Sequence, residues 1–300
     1  IGSSDIHGDL KYVASQPRPK LSGKLVSNQL LMADLGPLIG ADSNAKQKVR
    51  GGESKQPAGK VLPVEEFRTE RWRDMDADVE LTGKRIVQSA ELPFTDLYTH
   101  VVLNDGELSL EPLRFGVAGG KLDAQIRLNG RATPLKGSAR LTARNFKLKQ
   151  LFPTFEPMKT SFGELNGDAT LAGTGNSVAK LLGTANGDLK MIINDGAISR
   201  SLMEIAGLNV GNYIVGKIFG DEDVKINCAA ADLGIKSGLA STRLFVFDTE
   251  NAIIYIDGTV NLATEQLDLK ITPESKGLRL FSLRSPLYVR GTFANPSAGV

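Results

Sequence analysis

Lys121-Leu122-Asp123-Ala124-Gln125-Ile126-Arg127-Leu128 alternates a polar and an apolar residue at every step. Successive side chains of an extended strand point to opposite sides, so this octapeptide reads as a strand with one dry face and one wet face. The pattern returns in Asp78-Val79-Glu80-Leu81, Ser138-Ala139-Arg140-Leu141-Thr142-Ala143, Asp188-Leu189-Lys190-Met191, Ile254 to Leu262 and Leu267-Asp268-Leu269-Lys270-Ile271. Between these runs stand Asp105-Gly106, Asn129-Gly130, Asn166-Gly167, Asn186-Gly187, Asp195-Gly196 and Asp257-Gly258. Such pairs accept positive φ and suit two-residue hairpin turns or glycines in bent strands. The fold class that follows is mainly β: an extended, twisted, mostly antiparallel sheet with a few short helices.

The chain divides into three stretches. Residues 1–40 read as strands and a short helix that continue an upstream sheet. Residues 41–60 combine Gly51-Gly52 and Pro57 with almost no large apolar residue, the composition of a flexible linker or loop. Residues 61–300 form a β-rich region with an internal echo, about 61–160 against 161–300. In that echo Leu103-Asn104-Asp105-Gly106-Glu107-Leu108 returns as Ile193-Asn194-Asp195-Gly196-Ala197-Ile198. Repetition of this kind suits a sheet that keeps adding strands. Helices are expected between about 199 and 219, where Ser201 and Glu204 make a capping box, and as short turns at 28–35, 147–152 and 177–182.

Composition removes several chemistries. Two histidines, His7 and His100, and one cysteine, Cys228, cannot assemble the usual zinc site, and one cysteine cannot form an internal disulfide. A net charge of +2 supplies no basic stripe for nucleic acid. Gly173-Thr174-Gly175-Asn176-Ser177 lacks the further residues of a dinucleotide or P-loop fingerprint and reads as a turn before a helix. Asp74, Asp76 and Asp78 lack the glycine turn and distal glutamate of a calcium loop. There is no nucleophile with a base beside it, so no catalytic residue, metal ligand or cofactor is expected, and the chain reads as a non-enzyme. The longest uncharged apolar stretch, Ile205 to Gly216, falls well short of the ~20 residues of a spanning helix. The opening Ile1-Gly2-Ser3-Ser4-Asp5 has no leader pattern, and the chain reads as a piece of a longer protein, so that any anchor would lie outside it.

The candidate functional residues are the apolar members of the alternating runs: Leu122, Ala124, Ile126 and Leu128, then Leu189 and Met191, then Ile254, Ile256, Val260 and Leu262. Two arrangements fit them, half of a closed sandwich core or the dry face of an open groove that accepts acyl chains. The scarcity of aromatics and the echoes favour the open, smooth, aliphatic face.

The order of motifs resembles the AsmA family of bacterial envelope proteins, related to the larger TamB- and YhdP-type proteins. The likeness rests on Arg18-Pro19-Lys20-Leu21-Ser22-Gly23-Lys24-Leu25, Leu31-Met32-Ala33-Asp34-Leu35-Gly36-Pro37-Leu38, and Leu103-Asn104-Asp105-Gly106-Glu107-Leu108. It continues through Ala118-Gly119-Gly120-Lys121-Leu122, Leu171-Ala172-Gly173-Thr174-Gly175 and Val289-Arg290-Gly291-Thr292-Phe293-Ala294-Asn295-Pro296. The resemblance implies a periplasmic segment tethered to the inner membrane by an N-terminal helix. It implies a hydrophobic β-groove that shields phospholipid acyl chains between inner and outer membranes. It also implies contacts with outer-membrane or other envelope proteins. The alternative it leaves open is a structural module that supports outer-membrane protein assembly without carrying lipid.

Overall fold

The computed structural model describes residues 4–31, 57–87, 94–151, 162–198, 224–250, 252–276 and 286–299. The first seven strands are β1 (Ile6–Val13), β2 (Lys20–Leu31), β3 (Asp76–Val87), β4 (Phe94–Asn104), β5 (Glu107–Val117), β6 (Gly120–Asn129) and β7 (Lys136–Lys147). Four long strands follow: β8 (Phe162–Thr174), β9 (Asn186–Ile198), β10 (Val224–Lys236) and β11 (Leu239–Thr249). The last four are β12 (Ala252–Asn261), β13 (Gln266–Ser275), β14 (Leu287–Thr292) and β15 (Pro296–Gly299). Two short helices, α1 (Leu148–Leu151) and α2 (Val178–Gly183), and a 3-10 turn at Thr69–Arg73 complete the described elements.

Among the described residues fifteen strands join one sheet in sequence order, β1 to β15, with none inserted out of turn. Every neighbouring pair is antiparallel except β2 and β3, which run parallel from Lys20 opposite Asp76 to Leu31 opposite Val87. Among the described residues β1 and β15 do not pair with each other, so the sheet is open. The mainly β, mostly antiparallel, strand-adding architecture read from the sequence is the one present.

Local readings fare unevenly. Asp105-Gly106 makes the β4–β5 turn, with Asp105 at φ 48° and Gly106 at φ 81°, and Asn129-Gly130 leads into the β6–β7 connection. Asn166-Gly167, Asn186-Gly187, Asp195-Gly196 and Asp257-Gly258 lie inside β8, β9, β9 and β12. The echoed hexapeptide therefore occupies a hairpin in its first copy and an unbroken strand in its second. Helix α2 forms at the predicted place, capped by Ser177, whose hydroxyl accepts the Lys180 N–H. Helix α1 covers the middle of the predicted turn at 147–152. Residues 28–31, expected as helix, continue β2 instead, because their pairing with Gln29 opposite Arg85 and Leu30 opposite Ile86 satisfies the backbone in the ladder. The expected helices at 199–219 and most of the 41–60 loop lie outside the described residues.

Candidate functional site

Directly opposed residues of paired strands project to the same side of a sheet. Following that rule from strand to strand gives one row that crosses the whole molecule. It runs Leu10, Gly23, Val79, Val101, Leu110, Ile126, Ala139 and Leu171 over β1 to β8. It continues through Gly187, Ile235, Ala240, Val260, Leu267, Gly291 and Pro296 over β9 to β15. Every strand contributes one residue and none is polar. The adjacent row, from Gly8 through Leu25, Leu81, Thr99, Leu113, Ala124, Leu141, Ala169 and Leu189 to Leu233, carries a single hydroxyl.

The opposite side is charged. Asp9, Lys24, Glu80 and His100 stand in one cross-strand row, and Arg114, Asp123, Thr142, Asp168, Lys190 and Asp232 in another. Arg114 binds Asp123 at 2.7 Å and Arg144 binds Asp168 at 3.0 Å. Arg127 binds Glu111, and Arg243 bridges Asp188 and Asp232. The Arg127 guanidinium holds the Glu111 carboxyl below its ordinary value, and the hydrogen bond from His100 does the same for Asp78. Exposed pairs of this kind add little stability each. Their alternation fixes which side meets water, since a one-residue slip would turn every charge inward.

All ten apolar residues singled out in the sequence lie on the dry side. Ala124 and Ile254 are buried and the other eight are half-buried. The dry side is not uniformly aliphatic. Phe245 and Phe247 project from β11 with ring centroids 5.5 Å apart, and Phe115 of β5 meets Phe94 edge-on at 5.3 Å.

A strap, residues 57–73, runs along the hairpin tips at one edge of this face. Val61 and Leu62 donate their N–H groups to the two carboxylate oxygens of Glu265 at the β12–β13 turn, at 2.7 and 3.1 Å. Ala179 donates to the Pro63 carbonyl and Phe67 to the Asn176 carbonyl, at 2.9 and 2.8 Å. Trp72 then packs over Gly130 beside the β4–β5 turn, 4% exposed, in a cluster with Leu108, Leu135 and Phe67. The strap thus joins the β12–β13 turn to the β4–β5 turn.

Helix α2 is seated beside the strap by two facing glycines. Gly137 and Gly173 oppose each other on the dry side of β7 and β8. A Cβ on Gly173 would lie 2.2 Å from the Leu181 carbonyl oxygen, and one on Gly137 would lie 2.9 Å from Leu128 and 3.0 Å from Leu181. At Gly173, where the neighbour is backbone, only a residue without a side chain lets the helix come this close. An apolar cavity of about 300 Å³ remains between helix and sheet. Three larger concavities, of about 1080, 800 and 480 Å³, open mainly on the charged side. Their arginines are committed to neighbouring carboxylates, so the dry side is the better candidate for an apolar ligand.

Sequence reading missed the cover: Phe67, Trp72, Leu181 and Glu265 were not singled out. The apolar cluster Val61, Leu62, Val64, Phe67 and Trp72, following directly on a polar loop, was the available signal.

Comparison with known proteins follows the same line. The model of the AsmA family matches residues 1–245. A curated relative, the AsmA family protein YhjG of Escherichia coli K12, is 56% identical over 307 aligned residues. The alignment takes in 100% of this chain and 45% of that relative, so the chain spans less than half its length. No solved structure matches. With most of its length matched by the family model and all of it aligned to this relative, the chain belongs to the AsmA family.

Proposed function

We propose that this chain is a non-enzymatic segment of a lipid-carrying envelope protein, in which the dry face shields phospholipid acyl chains while the headgroups stay in water. The observation that carries the reading is the row of fifteen nonpolar residues, one from each strand. At ~4.8 Å between strands, fourteen spacings give a path of about 65 Å. Half of the ~30 Å hydrocarbon thickness of a bilayer is about 15 Å, so roughly four acyl chains fit along the path end to end. Each methylene taken from water contributes about 0.8 kcal/mol without any polar contact, which suits a carrier of bulk lipid with little headgroup selectivity.

Family membership supports an envelope setting. Within it we place the chain in the periplasm, joined to the inner membrane by a segment outside these residues and acting in phospholipid movement toward the outer membrane. Phospholipids are its partners in this reading, and nucleic acid is not. The test is solvent extraction of the purified chain with mass spectrometry of the extract, together with uptake of a fluorescent acyl probe. Co-purifying phospholipid and saturable uptake are expected. Absence of both overturns the reading in favour of an assembly module that supports outer-membrane proteins without carrying lipid.

A further inference from the structure

We propose that the cavity beneath α2 is a holding site for one acyl chain, entered methyl end first. It rests on the lipid-carrying reading and adds to it a defined place where a chain dwells. Leu110, Ile126 and Leu171 form its floor, while Phe67, Leu181 and Leu182 form its roof. Among the described residues no charged side chain lines it, and Ser138 is the one polar residue. A phosphate or ammonium group would find no partner there and would stay outside. Its volume of about 300 Å³ is twice that of an engineered apolar cavity that takes up benzene, which makes room for roughly a dozen carbon atoms. A partner helix, about 10–12 Å across, does not fit under a roof already in contact with the sheet at Gly137 and Gly173.

Ile126, Ala139 and Leu171 of the lining are also successive members of the row that crosses all fifteen strands. The cavity is therefore a covered stretch of the path and not an isolated void. A chain lying there contacts protein on two sides and loses more water than one on the uncovered face, so it leaves more slowly.

The experiment loads the whole chain with phosphatidylethanolamine bearing a photoreactive diazirine at the methyl end of one acyl chain, or near its carbonyl in a parallel sample. Irradiation and peptide mapping then locate the adducts. The methyl-end probe is expected to label two peptides, one containing residues 178–185 and one containing Phe67, several-fold more than the carbonyl-end probe. Ala139→Phe, which fills the cavity floor, is expected to remove that labelling and leave adducts on β9 to β13 in place. Equal labelling by the two probes, adducts confined to β9 to β15, or labelling unmoved by Ala139→Phe overturns the holding site while the lipid-carrying reading stands. Absence of adducts anywhere on the dry face removes both.

Discussion

The section from β5 to β8 and the edge at β1 share one apolar face but stand in different surroundings. Under the strap and α2, Leu108 is 5% exposed and Leu135 1% exposed. On β1, Leu10 and Tyr12 point to the same side and are 47% and 62% exposed. Strand alternation puts Leu108, Leu10 and Tyr12 on the dry side, while the cover comes from chain crossing the strand ends. Facing and burial are thus separate properties, and a sheet that adds strands in order can be covered in one stretch and bare in another.

The strongest way to break the contrast is Trp72→Ala. Removing the buried indole by which the strap packs onto the sheet is expected to cost about 3–5 kcal/mol in denaturant unfolding, against ~0.5 kcal/mol or less for Tyr12→Ala on the bare edge. Equal losses would show that the strap is not a cover.

A buried charge sharpens the same contrast. Ile126→Asp, on the roofed floor, should destabilise by about 2–3 kcal/mol because the carboxylate has no partner there. Ile256→Asp, on β12, should unfold the chain less, while both substitutions reduce acyl-probe uptake. Matching stability losses at both sites would point to a closed core throughout.

The helix seat gives an intermediate effect. Gly173→Ala drives a methyl into the Leu181 carbonyl and should cost about 1–3 kcal/mol, with faster amide exchange over residues 178–183. Gly137→Ala meets only the ends of leucine side chains and should cost less.

The smallest effect is set by pH. Asp5 accepts hydrogen bonds from the Gln29 N–H at 2.7 Å, the Ser27 hydroxyl at 2.9 Å and the Asn28 amide at 3.1 Å. These lower its pKa from 3.8 to about 2. With the folded value below the unfolded one, this clamp on β1 contributes fully above about pH 4 and is lost as pH falls toward 2. Amide-exchange protection at residues 5–12, relative to the intrinsic rate at each pH, should fall over that interval, and Asp5→Asn should abolish the pH step.

The alternation of Leu122 to Leu128 or of Leu267 to Ile271 was legible because a strand's period is written in consecutive residues. Turn and strand glycines were harder to separate. Gly187 and Gly258 sit mid-sheet at φ 153° and 136°, a backbone region that glycine enters as readily as it enters a turn. A dipeptide alone does not distinguish the two uses. Where the cover lands was illegible for a different reason: Val61 meets Glu265 across 204 residues, and no local pattern encodes that meeting. The aromatic pairs on β5 and β11 were likewise hidden in a low overall aromatic content.

The one parallel pair among the described strands, β2 beside β3, has a consequence for the cover. A hairpin would have turned at the far end of β2 and left no chain to spare. A parallel neighbour instead obliges the chain to travel back the length of the strands, about 40 Å for twelve residues. Residues 57–73, the final part of that return, are the strap. The sheet's one departure from antiparallel order is therefore what supplies it with a lid, and a redesign that joined β2 to an antiparallel β3 by a tight turn would delete the lid along with the crossover.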